Sequence, residues 1–350
     1  MLNVSGRVIC AGGVAVEEVL EEERFPGEPG VSFARRLDTR VGGTAALAAI
    51  AAAEVGAATR CVGTVGTDPA GATLRRHLAR ADVDVTTVLP VQGPTSRILR
   101  EAPDLAAQDA LADMAALLGE EDVAEPDHDR LCILPGAAWG CGTVAVEHAL
   151  DRCEPGDALL LDWAALDDTG SLVSAAYDLD LQILALLSPY PLLPQELDLR
   201  AVDVVITDRR GATWIADAGE LPASLCVLVG RHGLSWDGEI ALAPGAVRAE
   251  PPAGESLDGP GPSPWPTVAS LPTRVRTPLD RAYAVLAGAL AGHLARGDDR
   301  PEAAEGALAA LGRMEAHADP WRGMGAPPGA AGPSGRVPWR QLRLDTEELG

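Results

Sequence analysis

Apolar residues along the chain fall into short runs that break at glycine, alternating with longer stretches spaced for helices. Arg7 to Gly13 reads as a buried strand ending at a glycine pair. Glu17 to Gly30 is rich in Glu and Pro, and a further strand is predicted near Val31–Arg36. Thr44–Glu54 is an Ala-rich helix closed by Gly56, and Thr59–Val65 is the next strand. Asp68 stands at the N-cap position of a helix over 70–81, with Leu74 and Leu78 on one face. Val83–Val91 and Thr95–Arg100 read as strands. Later apolar runs at Leu131–Leu134, Ala158–Asp162, Leu181–Leu186, Val204–Thr207 and Leu225–Val229 predict more strands. Helices are predicted at Gly142–Arg152, Asp208–Ala218, Asp280–Arg296 and Pro301–Ala316. Strands alternating with helices imply a mostly parallel sheet covered on both faces. Pro251–Pro272 and Pro320–Gly350 lack such a pattern, so the second is expected to be a tail on a domain spanning 1–319.

Composition narrows the chemistry. The chain has 350 residues, 47% of them hydrophobic, enough for a large core. It contains no lysine, which removes a P-loop, a pyridoxal Schiff base and a lysine nucleophile. A net charge of -23 argues against a nucleic-acid partner. The six cysteines form no CxxC pair and read as buried free thiols of a reducing compartment. No apolar stretch reaches the ~18 residues of a membrane span, and the N-terminus lacks a signal-peptide pattern. The expectation is a soluble, cytoplasmic protein. The histidines form no HxxxH or HExxH pair, and no metal site is predicted. The acidic run from Glu17 to Glu23 lacks the spacing of a calcium loop and reads as a solvated face.

One constellation carries a specific resemblance. Gly42-Gly43 opens a helix; Gly63, Gly66, Asp68 and Gly71 follow as G-x-x-G-x-D-x-x-G, and the next helix runs into Val83-Asp84. Gly12 to Glu17 sits where a G-x-x-N-x-D turn would stand, and Val227 to Gly233 where a V-T-x-G-x-x-G strand and turn would. Together with the helix at Asp280–Arg296, these segments resemble the PfkB/ribokinase family of sugar and nucleoside kinases. The resemblance implies an α/β fold, a ribokinase-like doubly wound sheet flanked by helices, with a small β-rich lid formed by parts of 14–40 and 86–102. It implies ATP and Mg²⁺ as co-substrate and metal, a sugar or nucleoside ligand, and a homodimer through the lid. Glu17, Gly42 and Gly43 take the substrate-side positions; Asp208, Gly230, Gly233 and Thr277 take the nucleotide-side positions.

The departures bear on activity. The family's D-T-x-G-A-G-D aligns onto Val275 to Arg281, so both glycines of the anion hole are absent and Arg281 holds the position of the general-base aspartate. Thr277 and Asp280 there form a capping pair for an ordinary helix start. The substrate-side asparagines become Ala15 and Leu47, which read no sugar hydroxyl. The glutamate of N-x-x-E becomes Gly211. The favoured reading is a member of the family that has lost phosphoryl transfer and acts by binding or regulation. The alternative is a divergent active kinase with Asp280 as general base.

Overall fold

A computed structural model of the chain describes residues 6–22, 34–102, 130–136, 143–162, 169–187, 199–207, 211–212, 215, 224–228, 233–237, 239–242 and 279–318. The body is a nine-stranded sheet. It uses β1 (Arg7–Ala11), β4 (Ala58–Gly66), β5 (Val83–Val91), β8 (Ala158–Asp162), β9 (Gln182–Leu186), β10 (Val204–Thr207), β11 (Leu225–Leu228), β12 (Gly233–Trp236) and β13 (Glu239–Leu242). Their spatial order is β13-β12-β11-β10-β9-β8-β1-β4-β5. Neighbours run parallel from β5 to β11, while β12 and β13 add antiparallel at one edge. The chain order reverses between β1 and β8, and at such a switch point the loops diverge and leave a crevice at the carboxyl ends of the strands.

Among the described residues the body is covered by α1 (Thr44–Glu54), α2 (Pro69–Arg80), α3 (Thr143–Leu150), α4 (Thr169–Asp178), α5 (Leu279–Ala295) and α6 (Arg300–Ala318). Because successive side chains of a strand point to opposite faces, each strand feeds two cores. Val8 and Cys10 of β1 pack with α1, α2, α5 and α6, whereas Ile9 and Ala11 pack with α3 and α4. Parallel strands buried on both faces therefore read as unbroken apolar runs, and this is why β1, β8, β9 and β10 are visible in the sequence.

Helix α5 is deeply buried, with Ala282, Val285, Leu286, Ala289 and Leu290 all out of water. It lies against α1 through small residues. A Cβ on Gly288 would stand 2.5 Å from the Cα of Ala48, and one on Gly292 would stand 3.2 Å from the Cα of Ala52. The two helices run in the same direction, so their N-termini emerge side by side at the crevice.

A second, four-stranded sheet has the order β3-β2-β6-β7, with β2 (Ala15–Glu22), β3 (Ala34–Gly42), β6 (Arg97–Ala102) and β7 (Arg130–Leu134). It differs from the sequence expectations in three ways. The Glu-rich start of the segment beginning at Glu17 is a strand, β2. The strand expected near 31–36 instead runs to Gly42. Leu131–Leu134, expected among the body strands, pairs antiparallel with β6. Val83–Val91, expected as a strand, is β5 of the body, and β6 lies within the 86–102 span from which part of the lid was expected. Glu is a poor strand former, but here cross-strand arginines neutralise it: Glu17 lies opposite Arg40, and Glu18 bonds Arg97 at 2.7 Å. Of the helix predicted over 208–218, residues 211, 212 and 215 are helical. The segments 251–272 and 320–350 lie outside the described residues.

The close α1–α5 approach makes Gly288 a sensitive position. Gly288→Ala is expected to destabilise the protein by about 1–3 kcal/mol in urea unfolding, because backbone rather than a flexible side chain blocks the methyl group. Gly312→Ala on α6, where nothing lies within 4 Å of the new Cβ, is expected to gain about 0.5–1 kcal/mol.

Candidate functional site

The crevice is built from three glycine-bearing turns and one buried ion cluster. β1 ends in Gly12-Gly13. A Cβ on Gly12, whose φ is 149°, would run into Asp162 at the end of β8, and the Gly13 N–H donates to Asp162 Oδ2 at 3.4 Å. The Gly13 carbonyl then accepts from Ala45 N at 3.1 Å, so the chain itself occupies the first turn of α1. Gly43 has φ 87°, and any side chain there would strike the backbone of Gly13. Gly42 lets the small sheet close up, since a Cβ on it would lie 2.7 Å from Cβ of Glu17.

Glu17 is the centre of the site. Its side chain is 1% exposed, although the acidic run containing it reads in sequence as a solvated face. Three guanidinium groups surround it. Arg100 Nε donates to Oε1 at 2.7 Å and Arg40 Nε donates to Oε2 at 2.9 Å. Arg281, from the first turn of α5, donates to Oε2 and also to the Val41 carbonyl at 3.0 Å. Side-chain exposures of 3%, 22% and 11% for Arg100, Arg40 and Arg281 place the cluster largely out of water. Burial alone would raise the Glu17 pKa. The charges of Arg281, Arg40 and Arg100, with the Arg100 hydrogen bond, reverse that and hold the carboxyl far below the ordinary range. Glu17 is therefore an ionised, fully engaged carboxylate.

A second cluster ties the two sheets together at the start of α2. Asp68 caps the helix by accepting from Gly71 N at 3.0 Å. It also accepts from the Thr95 backbone at 2.9 Å and from the Thr95 hydroxyl, and that hydroxyl oxygen accepts from Gly66 N at 3.1 Å. Burial opposes ionisation of Asp68, while the Thr95 and Gly71 hydrogen bonds and the Arg97 charge outweigh it and lower the pKa. In the G-x-x-G-x-D-x-x-G segment, Gly66, Asp68 and Gly71 thus fasten the turn leading into β6 onto the body.

The structure brings Glu17, Gly42, Gly43 and Arg281 together. Ala15 and Leu47 are buried beside them, so apolar side chains stand where the resemblance implies asparagines. Asp280 falls in the first turn of α5, one residue and about 100° of helix from Arg281. Gly233 opens β12 and pairs with Leu242 in the body sheet. Asp208, Gly230 and Thr277 lie outside the described residues. Gly211, at the position of the family's glutamate, brings no carboxylate for a magnesium ion. No group of three His, Cys, Asp or Glu among the described residues could hold a metal. Burial and then the charge of Asp237 push the Cys226 thiol up to about 12, and burial raises Cys10 as well, so neither is a thiolate nucleophile. Arg40 and Arg100 are the functional-site residues that sequence reasoning missed. The available signal was a glutamate run placed on a strand, which requires cations across the ladder.

Residues 6–114 match the family described as pfkB family carbohydrate kinase. No curated protein matches this sequence. Among solved structures, the chain is similar to ribokinase from Cryptococcus neoformans in complex with ADP, at 15% identity and TM-score 0.61, covering 97% of this chain and 99% of that one. It is similar to Arabidopsis thaliana ribokinase complexed with ribose and ATP, at 16% identity and TM-score 0.60, over 89% and 93% of the two chains. It also resembles Burkholderia thailandensis nucleoside kinase in complex with inosine, at 15% identity and TM-score 0.58, over 91% and 93%. The fold is ribokinase-like: a large parallel sheet flanked by helices.

The buried cluster makes stability sensitive to Glu17. Glu17→Gln is expected to cost about 3–5 kcal/mol in urea unfolding, since it leaves guanidinium charges without their carboxylate. The folded-state pKa of Glu17 lies below the unfolded value of about 4.3, so its ionised form stabilises the protein fully above that value and the contribution is lost as pH falls below it. Stability should therefore fall as pH drops from about 5 toward 2, with a shallower slope in Glu17→Gln.

Proposed function

We propose that this PfkB/ribokinase-like chain keeps the carbohydrate-kinase fold without transferring phosphoryl groups, and acts as a ligand-binding or regulatory protein. The observation that carries the reading is the direct pairing of Arg281 with Glu17. Phosphoryl transfer to a hydroxyl requires a group that accepts the hydroxyl proton. A guanidinium stays protonated at any physiological pH and accepts nothing, so Arg281 at the base position is the wrong acid–base species. Glu17, at the substrate position, has its oxygens engaged by arginines, and neither Ala15 nor Leu47 supplies a hydrogen bond to a sugar. Gly211 weakens the case for a magnesium site of the usual kind, and no step is assigned to the metal.

The solved relatives support a small molecule as the ligand class: their complexes contain ribose with ATP, ADP, or inosine. A sugar or nucleoside is accordingly the first ligand to test, with ATP as the nucleotide. A homodimer through the small sheet belongs to the same reading. It is supported by β7, an edge strand on which Cys132 is exposed and Leu134 is 45% exposed. No described helix is long and apolar enough to cross a membrane, and a cytoplasmic location is the proposal consistent with that.

The test is turnover. Purified protein incubated with Mg²⁺, ATP and ribose, adenosine or inosine is expected to release no ADP above the enzyme-free rate. ADP release that Asp280→Ala abolishes would overturn the reading and establish Asp280 as the base of an active kinase.

A further inference from the structure

We propose that the Glu17–Arg281 pair is a built-in latch that holds the small sheet shut on the body with no ligand between them. The inference goes beyond the proposed function and does not rest on it, because a latch serves an active or an inactive protein equally.

Glu17 is on β2 of the small sheet. Arg40 lies opposite it on β3, and Arg100 is on β6, which also pairs with β2. Those two ion pairs bind the small sheet to itself. Arg281 comes from the body, on the helix seated against α1 through Gly288 and Gly292. Its guanidinium reaches Glu17 of β2 and the Val41 carbonyl of β3 together, so one body side chain grips two adjacent strands of the other sheet. Just before β6, Thr95 and Asp68 provide a second attachment, within the connection from β5 to β6. The sheet is thus joined to the body by the chain at β1–β2, β3–α1 and β5–β6, fastened by Thr95 and Asp68, and clasped by Arg281.

Opening the clasp is disfavoured for a definite reason. Forming a buried ion pair returns little net free energy, because both charges lose their water. Separating it while its surroundings stay apolar leaves a charge uncompensated. Ala15 and Gly42 stand on the same face of the ladder as Glu17, Ala15 is buried, and Glu17 itself is 1% exposed, which provides such surroundings. A carboxylate at position 281 would instead repel Glu17, and the same closure would then need a ligand in between. Arg281 takes the place of that ligand.

Amide hydrogen exchange on the full chain, without ligand, tests this. In the unaltered protein, β2, β3 and β6 should be protected to about the same degree as β8 and β9. Arg281→Met should speed exchange across β2, β3 and β6 together by about tenfold or more while leaving β8 and β9 unchanged, and Arg281→Lys, which keeps the charge, should stay nearer the unaltered protein. The proposal is overturned if the small sheet of the unaltered protein already exchanges about a hundredfold faster than β8 and β9, a measurement that needs no variant to fold. It is also overturned if Arg281→Met changes nothing, or if it speeds both sheets equally.

Discussion

An ionised carboxylate placed out of water has to be answered by cations, and in this protein that requirement reaches across the whole crevice. Glu17 is 1% exposed and ionised, so positive charge must come to it from every element within reach. β3 supplies Arg40, β6 supplies Arg100 and α5 supplies Arg281. The last contribution runs against the helix itself, since a cation in the first turn faces the positive end of the macrodipole. Glu17 and the Val41 carbonyl answer that charge. The same charge also explains why a Glu-rich segment adopts β structure at all: the ladder gives its carboxylates partners that solvent-exposed coil would not.

Bringing these elements together depends on the absence of side chains at particular points. Gly42 admits the Cβ of Glu17, and Gly43 admits the backbone of Gly13. Gly288 and Gly292 let α5 sink onto Ala48 and Ala52 of α1. Larger residues at either pair would lift the first turn of α5 away from β2 and β3. Gly42 and Gly43, which the resemblance places on the substrate side, also let protein pack against protein. The donor Ala45 N–H, directed toward the crevice by the start of α1, is already bonded to the Gly13 carbonyl.

The sequence made the body legible because parallel strands buried on both faces leave continuous apolar runs, as in β1, β8, β9 and β10, and because Asp68 and Gly56 mark helix ends. The small sheet was harder to read. β2 carries the composition of a solvated run, and its stability comes from arginines that are distant in the chain: Arg40 is 23 residues away, Arg100 is 83 and Arg281 is 264. No local pattern contains that information. Position 281 was recognisable as a departure once the family's catalytic segment was laid over Val275–Arg281, but the destination of its side chain was not. That depends on α5 and β2 meeting, a tertiary fact with no trace in the periodicity of either. Leu131–Leu134 illustrates the same limit, because an apolar run predicts a strand without saying which sheet will claim it.

An arginine rather than an acid at position 281 also determines what the neighbouring positions have to do. With carboxylates at both 17 and 281, the crevice would need polar groups and a ligand to keep like charges apart, and buried apolar neighbours would worsen the repulsion by lowering the local dielectric. With Arg281 the sign is reversed. Ala15, buried on the same face of β2 as Glu17, then borders an attractive pair, and the low dielectric that would penalise two carboxylates strengthens the contact instead. The apolar residue at this position is therefore not independent of Arg281. It belongs to the environment in which a guanidinium and a carboxylate can hold each other across two sheets, so Ala15, Glu17 and Arg281 make one physical arrangement.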